Sequence, residues 1–165
     1  EEAYFLSAYC NYLMSPIPSL DQEYTYKAIE SFQLFINKYP DSEKVEECHK
    51  YIDKLRNKLE TKSYNAAKLY YELGHYKAAL TALKNSLKQY PDSKYRENLL
   101  YFILKSSYNL AENSIRKKQK ERYEKTINEY YSLIDEFPET EYAKEAERIY
   151  SKVVEKLSQY NLTEN

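Results

Sequence analysis

The chain has 165 residues, enough for one continuous core but short for two independent domains. Its single glycine, Gly74, excludes primed-turn hairpins, phosphate-cradling loops and dinucleotide fingerprints together. A net charge of −1 leaves no global field to draw the chain onto nucleic acid or an anionic membrane, and no apolar run nears the roughly 20 residues that span a bilayer. Pro16, Pro18, Pro40, Pro91 and Pro138 separate long stretches rich in Glu, Lys, Leu, Ala and Tyr, which favour or tolerate helices, so the predicted fold class is all-α. No signal peptide is legible, and Glu1 opens as though within a helix. The expectation is a fragment of a longer protein, whose missing signals say nothing of compartment.

About seven helices follow in chain order. The first spans Ala3 to Met14, and Ser15-Pro16-Ile17-Pro18 forms a loop. Ser19 and Gln22 have the spacing of a capping box for the second helix, which carries Ala28 and Phe32 and closes at Tyr39-Pro40. From Ser42 to Leu73 there is neither Gly nor Pro. Val45, Cys48, Ile52, Leu55, Leu59, Ala66, Tyr70 and Leu73 fall three and four apart, save one gap near Ser63, which predicts one continuous helix. A fourth helix, with Ala79 and Leu83, closes at Tyr90-Pro91. Tyr95, Leu99, Phe102, Ile103, Ser106 and Leu110 open a fifth, expected to run to about Lys118. The sixth carries Thr126 and Tyr130 and closes at Phe137-Pro138. Tyr142, Ala146, Ile149, Val153, Leu157 and Tyr160 mark a last, capping helix.

Internal self-similarity organises these elements. Tyr39-Pro40-Asp41-Ser42, Tyr90-Pro91-Asp92-Ser93 and Phe137-Pro138-Glu139-Thr140 are one motif used three times, with prolines 51 and 47 residues apart. An aromatic closes one helix, a proline cannot continue it, and a polar residue caps the next. Twelve and eight residues before each proline stand Ala28 and Phe32, Ala79 and Leu83, and Thr126 and Tyr130. A small residue one turn from a large one lets two helices interlock. The chain is therefore expected to be one repeat domain, 1–165, divided at 1–40, 41–91, 92–138 and a 139–160 cap.

Convergent chemistry is absent from the pattern, and no catalytic, cofactor-binding or metal site is predicted. His49 and His75 lie far apart in sequence, on a long helix and in a turn, and neighbours such as Cys48 and His49 point about 100° apart on a helix. Cys10 and Cys48 are both expected to be free thiols and small core residues. Asn161-Leu162-Thr163 matches a glycosylation sequon at the terminus. Arg116-Lys117-Lys118-Gln119-Lys120 is the one basic run; a solvated helix end is its ordinary reading, a lipid-headgroup or nucleic-acid patch the other. Tyrosine is abundant, with 21 residues and no tryptophan, which serves core packing and, at some positions, a protein-binding groove.

Between Ala67 and Pro91 the chain resembles a tetratricopeptide repeat: Ala67 at the small position, Tyr70 at the following large one, Gly74 at the turn, Tyr76, Ala79 and Leu83 on the second helix, and Pro91 at the end. The other two units keep only the second helix and the proline. Their long first helices, the Ser-Pro loop and the run Ser19-Leu20-Asp21-Gln22-Glu23-Tyr24-Thr25-Tyr26-Lys27-Ala28-Ile29 resemble the BamD family, of Bacteroidetes type, over essentially the whole chain. These are tetratricopeptide lipoproteins of the machine that inserts β-barrels into bacterial outer membranes. The resemblance implies a right-handed α-solenoid corresponding to the three C-terminal repeats, on the periplasmic face of the outer membrane, with a lipid anchor on a missing N-terminal part as the only membrane contact.

The same resemblance implies a non-enzymatic scaffold without cofactors, whose partners are the POTRA domain nearest the barrel of BamA and other lipoproteins of the machine, and not nucleic acid. Positions facing the concave surface would be Tyr64, Lys68, Tyr71 and Glu72. Tyr71, next to the packing residue Tyr70, is expected to point outward as the foremost contact, and Lys84 and Lys88 to add a salt-sensitive part. Two other functions fit the pattern: a generic tetratricopeptide adaptor that captures peptides or partner proteins outside barrel assembly, and the regulatory domain of an enzyme.

Overall fold

A computed structural model describes residues 1–163, with side chains through Tyr160. Seven helices occupy them: α1 (Glu2–Met14), α2 (Glu23–Lys38), α3 (Val45–Glu72), α4 (Tyr76–Gln89), α5 (Arg96–Glu112), α6 (Arg116–Glu136) and α7 (Ala143–Thr163). No strand occurs among the described residues, and the all-α expectation holds. The chain packs as two compact units, Glu1–Lys62 and Ser63 onward.

The aromatic-proline motif builds the same joint three times. The N–H groups of Tyr39, Tyr90 and Phe137 donate to Phe35, Ser86 and Leu133 carbonyls at 2.9 Å, closing α2, α4 and α6. Two residues past each proline, Ser42, Ser93 and Thr140 donate their N–H back to Tyr39, Tyr90 and Phe137 carbonyls at 3.1, 3.2 and 3.1 Å. Their hydroxyls accept from the Lys44, Tyr95 and Tyr142 N–H groups at 3.2 Å each. Orphan donors of the next helix are thereby satisfied.

In the first unit Phe5, Ala8, Ala28, Phe32, Phe35, Cys48, Ile52 and Leu55 form the core. Cys48 is there as expected, and burial, with the Glu47 charge beside it, pushes its thiol up to about 11. Cys10 is not: it is exposed, because the buried line of α1 runs through Phe5 and Ala8, and a residue two further on lies on the opposite side of the helix. Both thiols are free. The Ser19 capping box does not form either. Asp21 Oδ1 accepts the Glu23 N–H at 2.9 Å, and buried Gln22 is used differently: its amide donates to Ile17 and Leu20 carbonyls at 2.8 and 2.9 Å, and its oxygen accepts from Thr25 at 2.7 Å. The loop carbonyls need those donors, so Gln22 is committed to them.

In the second unit Ala67, Ala79, Leu83, Leu99 and Ile103 pack together, and Leu100, Leu104, Tyr123, Leu133, Ile149 and Val153 belong to a larger cluster beside α6 and α7. The long third helix is unbroken, but the apolar stripe expected on it shifts by one residue after Ser63. Ala67 is buried while Ala66, Tyr70 and Leu73 are exposed. Ser63 is the reason. Its hydroxyl donates to Ser86 at 3.0 Å, so this small residue, with Ala67 one turn on, faces α4. Gly74 ends the helix at φ 77°, with the Gly74 N–H on Tyr71 and the His75 N–H on Tyr70, both 2.9 Å, a Schellman closure that a side chain at this φ would strain.

The fifth helix stops at Glu112 rather than near Lys118, with no Gly or Pro to stop it. Side chains take over its last carbonyls: Asn113 Nδ2 donates to Asn109 at 2.8 Å, the Ser114 hydroxyl to Leu110, and Gln119 Nε2 to Ala111 and Glu112 at 3.3 and 3.4 Å. Ile115 is extended, and the basic run starts α6.

Ala79 is fully buried at the α3–α4 contact, so Ala79→Leu should overpack it and lower stability by about 1–3 kcal/mol, read from the urea midpoint. With a thiol reagent, one equivalent should react in the native chain, at Cys10, and the Cys48 equivalent only on unfolding.

Candidate functional site

Helical spacing on three helices of the second unit lays down a belt of rings and charges. On α3 the contributors are Tyr64, Lys68, Tyr71 and Glu72; on α5 and its cap they are Tyr95, Asn98, Tyr101, Phe102 and Lys105. Tyr64 stacks on Tyr95 with centroids 4.5 Å apart and planes at 5°. Phe102 lies 5.2 Å from Tyr71 and 6.4 Å from Tyr64. Tyr101 stacks on Tyr142, before α7, at 3.9 Å. Lys105 Nζ stands 5.4 Å from the Tyr71 ring and 5.1 Å from the Tyr101 ring, and pairs with Glu145 of α7 at 3.3 Å. Glu145 also accepts from the Tyr101 hydroxyl at 2.5 Å, and Asn98 donates to the Tyr142 oxygen at 2.6 Å. Lys68 reaches over Phe102 at 5.6 Å and pairs with Glu72 at 3.3 Å.

The surroundings raise the pKa of three of the belt's phenols. Burial pushes Tyr64 and Tyr101 above the ordinary tyrosine range, and burial with the Glu141 carboxylate pushes Tyr142 up to about 12. The Tyr101 hydroxyl holds the Glu145 carboxyl below its usual range. The half-buried rings of Tyr64, Tyr71, Tyr95, Phe102 and Tyr142, beside buried Tyr101 and edged by ion pairs, form a surface suited to a protein partner: rigid anchors lose little entropy on immobilisation, and the flanking charges set register.

Four of the six residues expected at a partner surface, Tyr64, Lys68, Tyr71 and Glu72, are brought together here. Lys84 and Lys88 are not: Lys84 on α4 pairs with Glu129 of α6 at 2.5 Å, and Lys88 is exposed in the last turn of α4. The expected roles of two neighbours are exchanged. Tyr70 is 44% exposed, whereas Tyr71 is half-buried between Tyr76 and Phe102, because of the shifted stripe on α3. The α5 and α7 contributors are not among the expected residues, although Tyr95, Asn98, Phe102 and Lys105 repeat at helical spacing.

No cluster of His, Cys, Asp and Glu fit to hold a metal occurs among the described residues. His49 and His75 are both exposed. The side chains of the Asn161 sequon lie outside the described residues.

Seven helices, a thrice-used joint and a tyrosine-lined face define an all-α helical-repeat scaffold of the tetratricopeptide kind. Residues 1–122 match the YfiO family model, described as an outer membrane lipoprotein, and the chain belongs to this family. It is a non-catalytic lipoprotein family associated with the outer membrane. No match is found among curated proteins. The family match ends inside α6, so the belt's Tyr142 and Glu145 lie beyond it.

Because a phenol with a raised folded-state pKa contributes stability below its unfolded value, near 10, and loses it as pH climbs to the folded value, stability should fall between about pH 10 and 12. Tyr142→Phe should remove part of that fall and one late-ionising phenol from the absorbance titration.

Proposed function

We propose that the chain is the docking half of a BamD-type scaffold, of the Bacteroidetes kind, in outer-membrane β-barrel assembly. The belt joining Tyr64, Lys68, Tyr71 and Glu72 to Tyr101, Phe102 and Lys105 is the observation that carries this reading, and the outer membrane lipoprotein family supplies the setting. On it the barrel-proximal POTRA domain of BamA sits against these rings, other lipoproteins of the machine bind elsewhere, and a lipid anchor upstream holds the assembly at the periplasmic face. The segments 1–40, 41–91, 92–138 and 139–160 act as the repeats of a single domain and its cap. No bond is made or broken by the chain. Affinity comes from the few aromatic anchors, with the near-neutral net charge contributing little steering.

Titration calorimetry with the purified POTRA domain should give binding, weakened by about 1 kcal/mol or more in Tyr71→Ala. Tyr71 also packs, so Lys68→Glu and Glu72→Lys, at solvent-facing ends of the same belt, should weaken binding with the helical circular dichroism unchanged. Lys84→Ala and Lys88→Ala, which lie off the belt, should remove at most a small salt-sensitive part. No heat at tens of micromolar with both partners folded would favour a generic tetratricopeptide adaptor.

A further inference from the structure

The hairpin-turn end of the second unit carries charges and apolar side chains that neither the core nor the belt uses. The α3–α4 turn and the end of α5 share a cleft of about 810 Å³, lined by Gly74, His75 and Lys77 on one side and Leu110 and Asn113 on the other. Arg116 and Lys156 share a second cleft, of about 390 Å³, beyond the end of α5. Five exposed cations, Lys77, Arg116, Lys117, Lys118 and Lys156, are thus gathered at one end. Three carboxylates near them are engaged, Glu72 with Lys68, Glu112 with the Tyr123 hydroxyl and Glu121 with Lys125, while Glu155 stands exposed next to Lys156. At the proline-joint end Glu97, Glu136 and Glu139 line a cleft together, Glu136 being paired with Arg96. A near-neutral chain therefore gathers exposed cations locally at this end of the second unit.

The cations occupy positions that helix physics disfavours. Arg116, Lys117 and Lys118 fill the first turn of α6 and Lys77 sits in that of α4, and neither turn holds an acid. The positive end of the helix macrodipole opposes them there. Helices beginning at the proline joints carry acids in their first turns, Glu46 and Glu47 alone in α3, and Glu97 and Glu145 beside Arg96 and Lys144 in α5 and α7. A solvated helix start would carry acids, so this run is kept against local stability. Beside it two apolar side chains protrude from the turns, Leu73 at 60% and Ile115 at 66% exposure.

Cations surrounding protruding apolar tips match the chemistry of an anionic bilayer surface, where the tips enter the headgroup layer and the cations meet the negative surface potential. We infer that this end of the second unit docks on an anionic lipid surface, through Leu73 and Ile115 with Lys77, Arg116, Lys117 and Lys118. Membrane contact through an anchor alone is then replaced by two contacts, the second of which orients the scaffold. The tyrosine belt takes no part, so this docking stands apart from the POTRA reading.

The test is flotation of the purified chain with phosphatidylcholine vesicles, with and without phosphatidylglycerol. The chain should float only with the phosphatidylglycerol vesicles and less as salt rises. Lys117→Glu combined with Lys118→Glu should weaken binding at least about tenfold, and Ile115→Ser should weaken it at unchanged charge. All three positions are exposed, and circular dichroism verifies the fold. Failure of the folded chain to float, equal flotation with both vesicles, or indifference to the charge reversal would overturn the inference. POTRA titration of the charge-reversed variant should be unchanged. Lost POTRA binding with no vesicle binding would assign the run to a protein contact and overturn it equally.

Discussion

A hydroxyl two residues after a proline carries the architecture. A proline alone ends a helix but leaves the next start undefined, with backbone donors unsatisfied. Ser42, Ser93 and Thr140 resolve both needs at once: the backbone of each closes on the preceding aromatic, and the side chain caps the start of the next helix. Ser93 and Thr140 are nearly buried, so the caps lie out of water and their hydrogen bonds gain in strength. On the helices that the first two joints close, Ala28 and Phe32, and Ala79 and Leu83, are fully buried one turn apart. The belt inherits its geometry from the joints, since Tyr95 and Tyr142 stand directly at two of them.

Legibility in the sequence divides along the same line. Joints are readable because proline and its neighbours act locally, and helix existence because the three-and-four pattern is long. The inner face of α3 is not, since two faces of that helix are apolar near its end: Ala66, Tyr70 and Leu73 compete with Ala67 and Tyr71, and tertiary contacts, the Ser63–Ser86 bond and the packing of Ala67 and Tyr71 on α4 and α5, decide between them. Cys10 departs from expectation for a related reason, because apolar neighbours in sequence need not share a side of a helix. Four of the belt's eleven side chains are legible, Tyr64, Lys68, Tyr71 and Glu72. The remainder depends on which side of α5 turns toward α3, a tertiary fact that pattern alone does not contain.

The charge distribution carries a parallel lesson. A net charge of −1 says that distant partners feel little field, yet screening confines electrostatics to about a Debye length in any case, roughly 8–10 Å at physiological salt. Over that distance the sign at each end of the second unit matters, not the sum. Glu136 bonded to Arg96 at one end and the Lys117-Lys118 pair at the other belong to different local environments.

The stop at the end of α5 has one more implication, for the order in which the chain becomes structured. Proline joints are decided as soon as they leave the ribosome, being written in consecutive residues. The α5 boundary is not, because Gln119 and Arg122, which take its final carbonyls, belong to the helix after it. Until those residues are synthesised and folded back, nothing but Asn113 and Ser114 opposes continued winding. During vectorial synthesis this corner is therefore set only after Gln119 and Arg122 have been made, and α6 defines the length of a helix made before it.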